Sequence, residues 1–382
     1  MHLRTLNQVP LKDKRVLLRL ELNVPLDNGK VVDVTRIKEA IPTIRHILAK
    51  KPGQIIIIAH LGRPEGKWQD KYSLRPVGQK LRQLLGRPVV FVDDDLRKKT
   101  ILPQSPIILL ENLRFYPGEE ANEQNFAKRL ASFADIFVND AFGAMHRKHA
   151  STYKIATLIP SCAGLLVQKE LQALSRLLRP KRPYLAIIGG GKADKLSLIK
   201  RLTKNADHVL VGGASANHLL AARGYHLGKT PLEPKLIQEA KSLLKNTRLV
   251  LPLDIAVATS PESKRVTIVP LTRVPKGFQV IDLGPTSRDL FKYYIKRART
   301  VFWNGPLGYI EQASARRGTC AIAKAIAQSK AFTVLGGGDI TYALKLCKLQ
   351  VNDFSHVSTG GGAAIEFIEK GTLPGLEVLC EK

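Results

Sequence analysis

Short runs of isoleucine, valine and leucine recur along this chain with no polar position to face solvent. Residues 54–59 read Gln-Ile-Ile-Ile-Ile-Ala, residues 107–110 Ile-Ile-Leu-Leu and residues 184–188 Tyr-Leu-Ala-Ile-Ile. A strand that is apolar at every position must be covered on both faces, and helix-spaced stretches between such strands supply that cover as a parallel sheet. In the first half the pattern predicts strands at 15–20, 54–59, 89–92, 107–110 and 136–138. Helices are expected over 35–51, 75–85 and 122–133. The second half repeats the alternation, with strands at 185–188, 208–211, 248–251, 300–303 and 332–335. Between them, residues 164–178 have helical periodicity and are followed by Pro180 and Pro183, the signature of a connecting helix. The fold class is therefore α/β: two doubly wound, Rossmann-like parallel-sheet domains, joined by a hinge helix at 164–179.

The 382 residues suffice for two such domains, and 44% hydrophobic content is enough for two cores. The N-terminal residues carry no apolar leader, and no apolar run reaches bilayer length, so a cytoplasmic protein without a membrane partner is expected. Cys162, Cys320, Cys347 and Cys380 are scattered with no CxxC pair, which argues against structural disulfides and a cysteine zinc site. The net charge of +28, from 60 Lys+Arg against 32 Asp+Glu, points to anionic ligands or nucleic acid. Yet the basic residues are spread along the chain, and aromatics are only 6%, too few for a single-strand stacking platform. Weak non-specific nucleic-acid binding is the most that charge alone implies.

Ligands of parallel α/β sheets collect at the carboxyl ends of the strands. Polar residues stand at those ends in the first half: Glu21 and Asn23, His60 and Arg63, Glu111 and Arg114, then Asn139, Asp140, His146 and Arg147, with Arg36 one short loop beyond the first. One loop arginine is usually a solvated surface residue. Arg63, Arg114 and Arg147 with His60 and His146 on one rim instead suit a small, multiply charged anion, because guanidinium forks match phosphate and carboxylate oxygens. His146 and His149 have the spacing of a metal pair but lack a third ligand.

In the second half the strand ends are glycine-rich. Gly189-Gly-Gly191 precedes Lys192 and Lys195, which are expected on one face of the first helical turn. Gly212 and Gly213 follow, then Asn304 with Glu311, then Gly336, Gly337, Gly338 and Asp339, and finally Gly360, Gly361 and Gly362. Glycine turns opening into helices offer backbone N–H donors to a polyphosphate, and Asp339 is placed to hold Mg²⁺. A single strand–glycine–helix junction is often only a tight connection, but three triple-glycine turns in one half favour the phosphate reading. No complete G-x-G-x-x-G or P-loop is present.

The ordered segments Leu22-Asn-Val-Pro25, His60-Leu-Gly-Arg-Pro64, Glu111-Asn-Leu-Arg-Phe115, Asn139-Asp-Ala-Phe142, Trp303-Asn-Gly-Pro-Leu-Gly308, Gly336-Gly-Gly-Asp339 and Ser358-Thr-Gly-Gly-Gly362 resemble the phosphoglycerate kinase family from about residue 15 to 376. The resemblance implies a monomeric, two-domain hinge enzyme that transfers a phosphoryl group between 1,3-bisphosphoglycerate and ADP. Its C-terminal tail would return to the first domain, giving domains at 1–163 with 366–382 and at 180–365. By matching position, Glu21, Asn23, Arg36, His60, Arg63, Arg114, His146 and Arg147 would hold the phosphoglycerate. Lys192, Lys195, Gly212, Gly213, Asn304, Glu311, Gly336, Gly337, Gly338, Asp339 and Ile340 would hold ATP or ADP with Mg²⁺. Arg36, Lys192 and Lys195 would be catalytic, and the amides of Gly360, Gly361 and Gly362 would serve the transfer.

The chain departs from the family pattern at four places. Glu21 replaces a shorter aspartate. Only Ala193 and Asp194 separate the lysines, where three residues are usual. Ile340 replaces a hydroxyl residue, and Val280 replaces a glycine lining the adenine slot. These departures keep open an alternative: a phosphoglycerate-kinase-like protein of weak catalysis that binds nucleotide or nucleic acid.

Overall fold

The computed structural model describes residues 3–98, 100–192 and 195–381. They form two compact units: residues to Gln172 together with those from Lys370 on, and Ala173–Glu369.

In the first unit, β1 (Arg15–Leu20), β2 (Gln54–Ile58), β3 (Val90–Val92), β4 (Ile107–Leu110), β5 (Ile136–Asp140) and β6 (Ser161–Ala163) make a parallel sheet in the order β3-β4-β2-β1-β5-β6. Strand alternation sorts its apolar residues into two cores. Val16, Leu18, Ile55, Ile57 and Val138 pack with Ile37, Ile41 and Ile44 of α1 (Thr35–Ala49) and with Val77 and Leu81 of α2 (Arg75–Leu85). Leu17, Ile56, Ile58 and Phe137 face the other way, onto Phe126 and Leu130 of α3 (Gln124–Ala131). Each strand thus serves both cores, which is why its sequence shows no solvent side. The connecting helix α4 (Leu165–Leu178) leaves this unit. The C-terminal tail belongs to it: Gly375 N–H donates to the Met145 carbonyl at 2.9 Å, Arg4 N–H donates to the Leu379 carbonyl, and Leu3 bridges Cys380.

In the second unit, β7 (Tyr184–Ile188), β8 (His208–Val211), β9 (Leu249–Val250), β10 (Asp254–Ala258), β11 (Thr267–Pro270), β12 (Gln279–Leu283), β13 (Thr300–Asn304), β14 (Phe332–Gly336) and β15 (His356–Ser358) form two sheets. The parallel one runs β9-β8-β7-β13-β14-β15; the other, β11-β10-β12, is antiparallel. The helices are α5 (Leu196–Asn205), α6 (Gly213–Ala222), α7 (Pro234–Lys241), α8 (Pro285–Arg297), α9 (Arg317–Ala327), α10 (Gly338–Leu346) and α11 (Gly362–Lys370). Trp303, Leu335 and Ile187 of the parallel sheet pack on Phe291, Ile322, Ile326 and Leu344 of α8, α9 and α10.

Two expectations are corrected here. The antiparallel sheet was not foreseen, because its strands lie between parallel elements and resemble loop-bounded apolar runs. The scattered cysteines do form a disulfide: Cys320 in α9 bonds Cys347 just after α10, with Cα atoms 5.2 Å apart. The two helices flank β14 on one face of the sheet, so 27 residues of chain return to the same spot. Linear spacing therefore carries no argument about pairing or compartment. No helix among the described residues is long and apolar enough to cross a membrane.

Candidate functional site

The rim of the first unit is built on the carboxyl ends of its four central strands, β4, β2, β1 and β5. Asn112, buried after β4, ties two of its loops together. Its amide donates to the carbonyls of Leu61 and Tyr72, and its Oδ1 accepts from Leu61 N–H and Arg114 N–H. Asn23 Oδ1 accepts from Gly62 N–H at 3.0 Å, which joins the β1 loop to the same turn. Arg114 is nearly buried; it donates to the Gly62 carbonyl at 2.7 Å and pairs with Glu120 at 3.2 Å. Arg36 donates to the Asn23 carbonyl at 2.6 Å and pairs with Glu21 at 3.2 Å. Arg147 Nε donates to His146 Nε2 at 3.1 Å, and Arg63 stands exposed beside Gly62. Asn23, Arg36, His60 and Arg114 are thus joined through one set of loops. The longer side chain of Glu21 is buried and engaged with Arg36.

Two strand-end residues serve the scaffold instead. Glu111 accepts from Leu74 N–H and from the Ser73 hydroxyl, capping the approach to α2. Asp140 accepts from the Leu166 and Val167 N–H groups at the start of α4, and burial raises its pKa to about 6.

Beneath the rim lies a polar layer that sequence reasoning missed. Arg19 is 1% exposed and donates from Nη2 to His60 Nδ1 at 2.8 Å and from Nε to Ser151 Oγ at 2.9 Å. Ser151 in turn donates its hydroxyl to buried Glu119 at 2.6 Å. Burial and then the neighbouring charges of Arg19, Arg114 and Arg36 hold His60 well below its ordinary pKa, and burial followed by Arg114, Arg19 and Arg147 brings His149 to about 3. The only sequence signal was Arg19 itself, a cation inside an otherwise apolar strand.

The second unit holds a cavity of about 340 Å³. Its walls include Gly190, Gly213, Pro306, Leu307, Glu311 and Asp339, and Val280, Ile281 and Leu283 of β12 supply apolar surface. Bare backbone builds the glycine-rich end of the cavity. Gly190 N–H donates to the Pro306 carbonyl at 2.6 Å, and Ala214 N–H donates to the Gly190 carbonyl. Gly305 has φ +85°, and a Cβ there would lie 2.4 Å from the Gly189 carbonyl oxygen and 2.5 Å from Lys195 Nζ. No side chain fits. Gly213 is similar: φ is +59° and the Gly190 oxygen would lie 2.6 Å away. Gly212 N-caps α6.

Asn304 donates to the Gly336 carbonyl at 2.9 Å and so fixes the turn that opens α10, where Gly337 is the N-cap, Gly338 begins the helix and Asp339 is in its first turn. The Gly336↔Ser358 pairing sets this turn beside the next one, where Gly360 N–H bonds Ser358 Oγ and Gly362 starts α11.

Three placements differ from expectation. Helix α5 begins only at Leu196, with Lys195 as its N-cap, so Lys192 and Lys195 precede the first helical turn. Gly190 sits at φ +119°, outside helical geometry, and the helix starts at the buried Leu196. Lys195 donates to the Gly189 carbonyl at 2.7 Å, and Lys192 is exposed; the intervening Ala193 and Asp194 lie outside the described residues. The Ile340 side chain is fully buried in the core with Trp303, away from the cavity; only its N–H, bonded to the Gly337 carbonyl, belongs to the turn. Asp282, also missed, is a buried residue of β12 that is itself among those lining the cavity. It accepts from Gly318 N–H at 2.7 Å, and burial lifts its pKa to about 7 despite that bond and the nearby Arg288 and Arg317.

The family model for phosphoglycerate kinase matches residues 6–371. A phosphoglycerate kinase of Pelotomaculum thermopropionicum is 43% identical over 394 residues, covering 99% of each chain. Among solved structures, phosphoglycerate kinase from Coxiella burnetii superposes with a TM-score of 0.88 at 38% identity, over 99% of this chain and 98% of that one. The enzyme from Pyrococcus horikoshii does so at 0.87 and 29% identity, over 98% of both.

Proposed function

This chain belongs to the phosphoglycerate kinase family, and we propose that it transfers a phosphoryl group reversibly from 1,3-bisphosphoglycerate to ADP, yielding 3-phosphoglycerate and ATP. The observation that carries the reading is the division of chemistry within a chain that matches the family end to end. One unit has an arginine–histidine rim suited to a small polyanion, and the other has an amide-lined cavity suited to a nucleotide polyphosphate. The comparisons lend no support to a catalytically weakened nucleic-acid-binding protein.

The acceptor is an ADP phosphate oxygen, or in reverse the 3-phosphoglycerate carboxylate, so no proton has to be removed as the bond forms. No general base is needed. Rate then comes from in-line positioning and from neutralising the transferring oxygens. Asn23, Arg36, His60, Arg63, Arg114, His146 and Arg147 would bind the phosphoglycerate, with Glu21 holding Arg36. Lys195 would exchange its bond to the Gly189 carbonyl for the transferring phosphate, with Lys192 as a second cation. The N–H groups of the 336–338 and 360–362 turns face helix starts, where anions are favoured. Magnesium normally binds through one or two carboxylates plus substrate phosphates, and Asp339 is an exposed carboxylate at the cavity wall beside the glycine turn, which fits that donor set. Bound there with the nucleotide, Mg²⁺ would neutralise phosphate charge. Excluding water from the acyl phosphate during transfer would protect it from hydrolysis. We extend the reading to a cytoplasmic monomer.

A coupled assay with ATP, Mg²⁺ and 3-phosphoglycerate tests this directly. Turnover that disappears on omission of either substrate is expected; nucleotide binding without turnover would sink the proposal.

A further inference from the structure

We propose that Arg19 is a positioning residue that holds His60 as its Nε2–H tautomer, so that the imidazole offers a hydrogen-bond donor to the anion on the rim. The inference deepens the phosphoglycerate reading and rests on it.

The geometry leaves one proton arrangement. A guanidinium has five N–H donors and no acceptor, so the 2.8 Å contact from Arg19 Nη2 requires a lone pair on His60 Nδ1. The ring proton then sits on Nε2. A neutral ring of the opposite tautomer would meet Arg19 with N–H against N–H and offer a lone pair to the ligand. An imidazolium would also clash with Arg19, and it would add a further charge beside Arg36, Arg114 and His149, all of which disfavour protonation.

The guanidinium is itself fixed. Its Nη1 donates to the Leu20 carbonyl at 2.5 Å and its Nε to Ser151 Oγ at 2.9 Å. Ser151 is clamped by Glu119, which accepts from both its N–H and its hydroxyl at 3.0 and 2.6 Å. Glu119 is wholly buried, and with Glu21 it supplies the countercharge that lets Arg19 remain ionised at 1% exposure. The chain Glu119–Ser151–Arg19–His60 therefore runs from a carboxylate in the core to a ring on the rim. Charge at one end is converted into a fixed hydrogen-bond polarity at the other. A neutral donor serves a polyanion site well. It adds direction without adding repulsion among the arginines, and it needs no proton from solvent as pH varies.

The test is long-range ¹H–¹⁵N NMR of ¹⁵N-histidine-labelled protein without substrate, with the His60 signals assigned by their loss in His60→Asn. The expected spectrum shows a protonated Nε2 and an unprotonated Nδ1, unchanged from pH 8 to pH 5.5. A protonated Nδ1, or an imidazolium at pH 7, would overturn the proposal, and this readout needs no variant of Arg19. In Arg19→Met the ring should sample both tautomers and titrate at higher pH. KM for 3-phosphoglycerate should rise about tenfold, the loss of one charge-assisted hydrogen bond, with kcat changed less than about twofold. Arg19→Lys, which keeps a donor, should restore the tautomer and most of the KM. An Arg19→Met protein that retains a pure Nε2–H ring also rules the proposal out. If the tautomer is as expected but 3-phosphoglycerate does not bind, the reading of the rim fails while the Arg19–His60 assignment stands.

Discussion

The two candidate sites of this chain are made from different materials. The first unit uses side chains: arginines and a histidine, held by a buried layer of Asn112, Arg19, Ser151 and Glu119. The second uses backbone: glycine turns, interlocked carbonyls and helix starts, with few charged groups. A guanidinium fork suits a compact ligand with fixed carboxylate and phosphate ends. Rows of amides suit a chain of phosphates, whose many oxygens need many donors but little charge selectivity. The two designs also fail differently. A side-chain site loses one contact at a time, whereas a backbone site fails when anything intrudes.

The sharpest test of that contrast is Gly305→Ala. Its methyl must displace the Gly189 carbonyl or Lys195, and a shift of about 1 Å at a transfer site costs at least a hundredfold, so we expect kcat to fall by roughly a thousandfold with a large rise in KM for ATP. Near-normal kinetics would show that the glycine interlock is not needed. Arg36→Ala and Lys195→Ala should each lower kcat by about a hundredfold, with Arg36→Ala also raising KM for 3-phosphoglycerate. Turnover that survives Lys195→Ala would transfer the catalytic role to Lys192.

Next in size are the effects on stability. Asp282 holds its proton in the folded chain up to about pH 7, whereas the unfolded chain releases it near pH 4. Its contribution is therefore fully present below pH 4, declines as pH rises through 7 and is flat above. Each pH unit in that window is worth on the order of 1 kcal/mol. In Asp282→Asn, thermal melts across pH 4.5–8 should lose this component of the slope; an unaltered slope would place the titration elsewhere. Reduction of the Cys320–Cys347 bond, or Cys320→Ser, should cost about 3.5 kcal/mol for a sequence separation of 27. Calorimetry with and without reductant should show the loss in the second unit, with the first unit's transition unmoved. Smallest is Lys192→Ala, where an exposed lysine on a flexible stem should change KM for ATP only severalfold.

Most of the fold was legible because a parallel sheet writes itself into sequence. Leu17 and Leu18 are adjacent yet face opposite cores, and residues 75–85 hold both the predicted and the observed α2. The antiparallel β10–β12 sheet was hidden because Asp254–Ala258 and Gln279–Leu283 lie among loops and carry no distinct period. At the rim, strand-end positions pointed to Asn23, Arg36, His60 and Arg114, which the loops do bring together. What stayed invisible was support from a distance: Arg19, Ser151 and Glu119 meet only in three dimensions, as do Cys320 and Cys347. Ile340 shows the opposite error. It stands next to Asp339 in sequence, but helical geometry turns it into the core.

The return of the segment from Lys370 on to the first unit has a consequence for how the protein is made. Residues 173–369 are continuous, so the second unit is complete on the ribosome as soon as they have emerged. The first unit is synthesised earlier but lacks the segment that docks Gly375 against Met145 and pairs Leu3 with Cys380. The usual N-terminal-first order of domain completion is thus reversed. The half that leaves the ribosome first is the last to close, because it waits for residues 370–381 to emerge.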